Sequence, residues 1–483
     1  MELKDLLKDL DIETLNLKNV EISDITDDSR KVIKGSLFVA IRGNNYNGNL
    51  FIKDAIKQGA LAVLTEEKPK ENLDIPIIIS KDIQKDTKKI AKKFYDNPFN
   101  KIKTIGVTGT NGKTTTTYLI KSILDIDYKT GLIGTIKTII NNKEFESINT
   151  TPNTLTLIKL FKRMVDEEVD YAVMEVSSHG LKLNRIDGIT FESVIFTNLT
   201  QDHLDFHKTM EDYRNSKLIL FSLVKENGSS IINLDDPNSK FFLESSKTKN
   251  IFTFGIKNQD ARFQIKIEKI SLDGSIFMIV DKQENKNYQI KTKLIGEPNI
   301  YNCASAFLTC YSLKIPVEKI KEGLEKANPV KGRYEIYYDK RGFKIIIDYA
   351  HSPDSLERLI KTVRRLTPGK IITVFGCGGD RDKEKRPIMG KIASHLSDIV
   401  ILTSDNPRNE DPNRIIDDII EGIIEKNYIV EVNRKNAIKL AFSHAGDKDS
   451  IIIAGKGHED YQIIKNKKYH FDDSEIVKGF MKS

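Results

Sequence analysis

The chain has no tryptophan and only three cysteines, Cys303, Cys310 and Cys377, in 483 residues. None forms a CxxC pair, and a chain of this length is no small disulfide-stapled scaffold. Nowhere do 18 apolar residues run together, which excludes a helical membrane span. The first twenty residues, MELKDLLKDLDIETLNLKNV, interleave acids and bases with leucines and offer no apolar core for a secretory leader. A reducing cytoplasm is the expected compartment, with no membrane partner. Low-complexity linkers and internal repeats are also missing. The charge balance is mild: 76 Lys and Arg against 69 Asp and Glu give +7. The basic residues are interspersed with acids and no aromatic stacking run accompanies them, which argues against nucleic acid and for local sites that bind small anions.

At roughly 100 to 200 residues per domain, the length suits about three domains. The turn cluster Tyr95-Asp96-Asn97-Pro98 precedes an apolar strand and sets a first boundary near 102; the turn-rich Asn328-Pro329-Val330-Lys331-Gly332 sets a second near 331. The expected domains are 1–102, 103–330 and 331–483. The first alternates short β-rich runs (36–43, 60–66, 75–80) with helical periodicity, a small α/β domain. The second shows strands at 103–109, 171–178, 193–199 and 230–236 between helices, a phosphate-loop ATPase-like parallel sheet. Residues 263–293 read as antiparallel strands appended to that core, with Asp273-Gly274 as a hairpin turn. The third repeats strand and helix, with strands at 344–350, 370–376, 398–404 and 450–455, a Rossmann-like, doubly wound fold. Leu356, Leu359, Ile360 and Val363 mark one of its helices, with Ser352 as N-cap and Pro353 at the first helical position. The fold class is thus α/β in three domains.

Gly109-Thr110-Asn111-Gly112-Lys113-Thr114-Thr115 follows a strand and opens a helix, the context a phosphate loop requires. Glycines bring backbone N–H groups close to phosphate oxygens, Lys113 supplies a charge to the terminal phosphates, and Thr114 offers a hydroxyl to Mg²⁺. The pattern departs from a strict Walker A, since Val107 stands where its first glycine belongs. In NLTQDHLDFH (198–207), Leu204 occupies the place of the glutamate a zinc protease would need, so that chemistry is rejected. Glu175 ends an apolar strand and would be costly to bury unless paired; with His203 it suits a second Mg²⁺, although a hydrogen-bonded buried glutamate is the bland alternative. Lys217, on its own, reads as a helix-surface lysine.

Five downstream loops, GRYE (332–335), DYAHSPD (348–354), GCGGDRDKEKRP (376–387), DNPRNEDP (405–412) and AGKGHEDYQ (454–462), mix glycine or proline with fixed charges near strand ends. Ligands of doubly wound sheets gather at the carboxyl ends of strands. Arg381 and Arg408 suit bidentate carboxylate recognition, and Arg333 suits a transferring phosphoryl group.

Taken in order, TGTNGKTT, NTTP, MEVSSHG, NLTQDHLDFH, GEPNIYN, GRYE, DYAHSPD, GCGGDRD, DNPR and GKGHEDYQ resemble the Mur ligase family along all three domains, in its branch that adds the third amino acid of the peptidoglycan precursor. The resemblance implies ATP and two Mg²⁺ ions, with Lys113 and Arg333 on the phosphates and Thr114, Glu175, His203 and a carbamylated Lys217 as metal ligands. It places Asn299, Asn302, Asp348 and His351 at the nucleotide. It assigns Asp27, Ser29, Asn44, Asn45 and Tyr46 to the uridine and pyrophosphate of the donor, and Asn149, Thr150, Thr151, Ser177 and Arg185 to its muramoyl-dipeptide. Arg381, Asp405, Asn406, Pro407, Arg408, Gly455 and Glu459 would hold the incoming amino acid.

The implied reaction phosphorylates the D-glutamate of UDP-MurNAc-L-Ala-D-Glu and lets an amine displace the phosphate. A meso-diaminopimelate acceptor needs a clamp for its second carboxylate, Arg408, and a counter-charge for its second ammonium, Glu459. Meso-lanthionine presents the same two ends and stays open. Rival readings are another amide ligase, such as the D-glutamate-adding Mur enzyme or folylpolyglutamate synthase, and a motor-type phosphate-loop NTPase. DNPR together with GKGHED separates the first, and dependence of ATP turnover on an amino acid separates the second. With no exposed apolar stripe in the sequence, a monomer is expected.

Overall fold

The computed structural model describes residues 1–8, 10–43 and 47–482. They form two compact units. The first comprises Met1–Lys103, Pro152–Asp170 and Leu183–Thr190. Its five-stranded sheet runs in the order Glu13–Leu15, Ile77–Ile79, Ala60–Thr65, Ser36–Ala40, Asp24–Thr26. Every pairing is parallel except that of the first edge strand. Strand Ser36–Ala40 is buried at all five positions, as a central strand covered on both faces should be. Helix Thr154–Asp166 belongs to this unit, through Phe161 edge-on to Phe99 at 4.9 Å and Lys159 paired with Asp24.

The second unit contains the two larger sheets. The eleven-stranded sheet is parallel at its centre, where Tyr171–Glu175, Lys103–Thr108, Phe191–Phe196 and Val224–Asn233 lie side by side. Residues 263–293 are not an appendage to it. Phe254 pairs in parallel with Phe263, and the antiparallel strands Phe263–Ser271, Gly274–Asp281 and Lys286–Thr292 continue the same sheet. Alternation explains this: Phe277, Ile279 and Ile290 point inward and join Ile105, Val107 and Ile195 in one core. The expected hairpin is present, with Gly274 at φ +135° and a Cβ there falling 2.1 Å from the Thr292 carbonyl oxygen.

The six-stranded sheet runs Glu335–Tyr338, Lys344–Asp348, Ser450–Ala454, Ile371–Phe375, Ile399–Leu402, Tyr428–Val430 and is parallel beyond its first strand. Separate cores cover its two faces, one built on Leu356, Leu359, Ile360 and Val363 and the other on Ala437, Ile438 and Ala441. This is the doubly wound arrangement the sequence suggests. Helix Pro353–Leu366 begins with Pro353, and Ser352 and Ser355 form a reciprocal capping box. Among the described residues no helix is long and apolar enough to cross a membrane.

Candidate active site

Strand Lys103–Thr108 ends in the glycine loop and helix Lys113–Leu124 begins directly after it. The loop is pinned from the neighbouring strand: Thr110 N–H donates to the Asn198 carbonyl at 2.8 Å and Asn111 N–H to Asn198 Oδ1 at 3.0 Å. Gly112 takes φ +89°, and a Cβ there would meet Asn302 Oδ1 at 2.4 Å. Lys113 folds back on the loop, donating to the Gly109 and Thr110 carbonyls at 2.9 and 2.8 Å. Burial lowers its pKa against the pull of Glu175 and Asp202. Asn111 Nδ2 donates to Asp354 at the start of helix Pro353–Leu366, 3.1 Å away, which ties the loop to the six-stranded sheet's side of the cleft.

Glu175 is fully buried at the end of its strand. Its carboxylate accepts from Thr114 Oγ1 at 2.9 Å, from Thr135 N–H at 2.8 Å and from Thr135 Oγ1 at 3.0 Å, so the charge is satisfied without a metal. Among the described residues, no three His, Cys, Asp or Glu side chains are grouped to hold a metal ion. Mg²⁺ commonly takes one or two carboxylates plus substrate phosphates and waters, and the contact between Thr114 and Glu175 beside the loop fits an ion arriving with a polyphosphate. His203 takes φ +55° and brings Nε2 to 3.5 Å from Asp202, while His351 Nε2 lies 4.0 Å from the same carboxylate oxygen. Burial pushes His203 down to about 4 despite Asp202. Burial opposes ionisation of Asp202 too, yet His203, His351 and Lys385 hold it down to about 2.

Lys217 is not a surface residue: it is 1% exposed, and its Nζ donates to the Gly109 carbonyl at 2.8 Å and lies 4.4 Å from the Tyr213 ring centre. The sequence-only assignment fails because helix Met210–Ser222 buries Tyr213, Ser216, Leu220 and Phe221, and Lys217 lies on that stripe.

A cavity of about 650 Å³ gathers Thr110 to Thr115, Thr150, Glu175, Ser177, His203, Asn299, Asn302, Arg333, Asp348 and His351. Asn302 donates to Asn299 Oδ1 at 3.1 Å, and Asn299 donates to the Ile295 carbonyl. The Arg333 guanidinium lies 4.4 Å from the Tyr349 ring centre, with its buried Nε unpaired. Asp348 accepts from the Tyr334 and Ala350 N–H groups, and burial raises its pKa. Thr151 is buried beside the cavity, donating to the Glu175 carbonyl and accepting from Ser177 N–H; Asn149 is exposed.

The residues expected to hold the amino acid lie at the carboxyl edge of the six-stranded sheet. Asp405 and Asn406 are buried there. Gly455 takes φ +111°, and a Cβ on it would meet Asp405 Oδ2 at 2.6 Å. Asn406 Nδ2 donates to Glu459 Oε2 at 2.8 Å. Burial, aided by Asp405, raises the Glu459 pKa. Arg408 takes φ +51° and donates to the Gly379 carbonyl at 2.7 Å; a Cβ on Gly379 would sit 1.9 Å from the Pro407 carbonyl oxygen. Arg381 is exposed, its nearest carboxylate Asp205 at 4.0 Å.

Among the described residues, three predicted ones belong to the first unit. Asp27 accepts from Asn153 at 2.9 Å, Ser29 opens a 3-10 turn capped by Asp28, and Arg185 is half-buried with its pKa lowered by burial. Asn44, Asn45 and Tyr46 lie outside the described residues.

Comparison with known proteins decides the family. Residues 107–310 match the Mur ligase middle domain, 332–457 the Mur ligase glutamate ligase domain, and 21–97 the Mur ligase family catalytic domain. The chain belongs to the Mur ligase family. A Clostridium botulinum relative named UDP-N-acetylmuramoyl-L-alanyl-D-glutamate–2,6-diaminopimelate ligase is 47% identical, with all of both chains covered. A Clostridium tetani protein of the same name is 47% identical over 99% of each chain. A solved structure titled as that ligase is 30% identical, covers 95% of each chain and superposes with a TM-score of 0.65.

Within this Mur ligase, motif reasoning gave no role to several groups that the fold places beside the cavity and at the carboxyl edge of the six-stranded sheet. Asp202 stands between His203 and His351 on the cavity wall, Thr135 supplies two donors to Glu175, and Lys456 is fully buried at that edge. A signal for Lys456 was present, because it stands two residues past the end of the strand Ser450–Ala454 and three before Glu459.

Proposed function

We propose that the chain is a cytoplasmic, monomeric ATP-dependent ligase joining meso-diaminopimelate to the D-glutamate of UDP-MurNAc-L-Ala-D-Glu. In this reading residues 1–102 receive the donor nucleotide, 103–330 ATP and 331–483 the amino acid. The observation that carries the reading is the pairing of a phosphate-loop cavity with a separate cluster of two carboxylates and an arginine along the strand ends of the six-stranded sheet. The names of the relatives support the same acceptor.

A carboxylate is a poor electrophile. The D-glutamate oxygen therefore attacks the γ-phosphorus of ATP, and ADP leaves. Phosphoryl transfer of this kind depends on positioning and charge neutralisation. Lys113 and the glycine-loop N–H groups hold the phosphates, and Arg333, with an unpaired Nε, is available to the transferring group. The acceptor amine then attacks the acyl phosphate. The tetrahedral oxyanion collapses, inorganic phosphate leaves, and the amide remains. Thr114, Glu175 and His203, with Lys217 as its carbamate, would hold two Mg²⁺ ions, which supply charge neutralisation on the phosphates when bound. Asn299, Asn302, Asp348 and His351 serve the nucleotide; Asp27, Ser29, Asn44, Asn45, Tyr46, Asn149, Thr150, Thr151, Ser177 and Arg185 serve the donor. Arg381, Asp405, Asn406, Pro407, Arg408, Gly455 and Glu459 receive the amino acid, and meso-lanthionine would meet the same contacts.

The test is phosphate release from ATP with each substrate omitted in turn. Release should require both the donor and the amino acid, and the product mass should equal donor plus acceptor minus water. Release that ignores the amino acid would identify a plain NTPase and overturn the proposal.

A further inference from the structure

Lys456 is 0% exposed, although nothing in the phosphate chemistry uses it. Its Nζ lies 3.2 Å from Glu459 Oε2 and 3.4 Å from Asn406 Oδ1, and 5.5 Å from the Tyr461 ring centre. Asn406 in turn donates to the same Glu459 oxygen at 2.8 Å. Lysine, asparagine and glutamate thus close a triangle that joins two loops of the six-stranded sheet. Two donors hold Glu459 Oε2, while among the described residues Oε1 receives no hydrogen bond and is left for a ligand.

The charges in this pocket nearly cancel. Asp405 and Glu459 bring two negative charges and Lys456 one positive. Arg434 donates to the Ala454 carbonyl behind the same loop, but its charge is answered by Asp473 at 2.8 Å. The His458 ring is kept neutral by burial. With Arg408 set aside for the acceptor's distal carboxylate, one unit of negative charge is left over, which suits one ammonium group. Burial and Asp405 both favour the neutral acid form of Glu459, and Lys456 opposes them. A neutral carboxylic acid would lose most of its attraction for an ammonium.

We infer that Lys456 is a positioning residue that holds Glu459 and Asn406 as the receptor for the distal ammonium of the acceptor, and thereby makes the enzyme selective for a diamino diacid over a monoamino diacid of the same length. The inference rests on the acceptor assigned above.

The experiment compares meso-diaminopimelate with 2-aminopimelate, which keeps both carboxyls and lacks the distal amine, in wild type and in Lys456→Met. The variant should raise the KM for diaminopimelate about tenfold, leave the KM for ATP within about twofold, and cut the preference for diaminopimelate about tenfold. Lys456→Gln, polar but uncharged, should show the same split and serves if the methionine variant folds poorly. Because the lysine acts through Glu459, adding Lys456→Met to Glu459→Gln should remove little further discrimination. Wild-type discrimination in both Lys456 variants would overturn the inference, as would a parallel rise of every KM with the preference intact. A wild-type enzyme that ignores diaminopimelate would overturn the functional reading and this inference together. Normal use of diaminopimelate by wild type, with unaltered variants, would overturn the inference alone.

Discussion

Lys113 and Lys217 donate to one acceptor: the Gly109 carbonyl oxygen lies 2.9 Å from the first Nζ and 2.8 Å from the second. Burial first, and Lys113 second, depress the Lys217 pKa well below the ordinary lysine value. A shift in this direction favours the neutral amine, the nucleophilic form that can combine with carbon dioxide. Lys217→Ala should lose roughly 10- to 100-fold in kcat, as loss of a metal-supporting group does. Added short carboxylates should restore part of it in a phosphate-release assay. No restoration would argue against the carbamate.

Gly112→Ala should lose nucleotide binding. At φ +89° an alanine is strained, costing about 1–3 kcal/mol, and its Cβ would fall 2.4 Å from Asn302 Oδ1. ATP titration and thermal melting check this; wild-type ATP affinity would show that the loop relaxes without cost.

The layers of the fold were legible because periodicity reports burial. Leu356, Leu359, Ile360 and Val363 with Ser352 and Pro353 gave the helix and its capped start. The alternation in residues 263–293 gave the strands but not their attachment, because pairing with residues 251–255 is a long-range contact that no local pattern encodes. Residue types at the phosphate loop and DNPR marked the sites. Lys217 was hidden by its charge, although Tyr213, Leu220 and Phe221 place it on a buried stripe. The contacts of Asp202 with His351 and of Lys456 with Asn406 are tertiary, which sequence spacing cannot reveal.

The His458 ring should make the protein sensitive to acid. Burial first, then Arg333 and Lys331, push it down to about 3. Between that value and the ordinary histidine pKa of about 6.5 the folded state binds fewer protons than the unfolded one. Stability from this group is therefore complete above about pH 6.5 and declines as pH falls, by about 2 kcal/mol at pH 5. His458→Gln should show a smaller drop in Tm from pH 7 to pH 5 than wild type; an equal drop would place the sensitivity elsewhere.

Arg408→Ala should raise the acceptor KM roughly 10- to 100-fold, the worth of a charge-assisted pair, with the ATP KM unchanged. Equal rises in both would indicate loss of the loop's structure, which the Arg408 bond to the Gly379 carbonyl helps to hold.

The most direct measurement is kcat/KM for meso-diaminopimelate against L-lysine, read as phosphate release with UDP-MurNAc-L-Ala-D-Glu and ATP. Lysine lacks the distal carboxylate that Arg408 would clamp, so diaminopimelate should exceed it by on the order of 100-fold. Equal values for the two amino acids would contradict the assignment of a diamino diacid as acceptor.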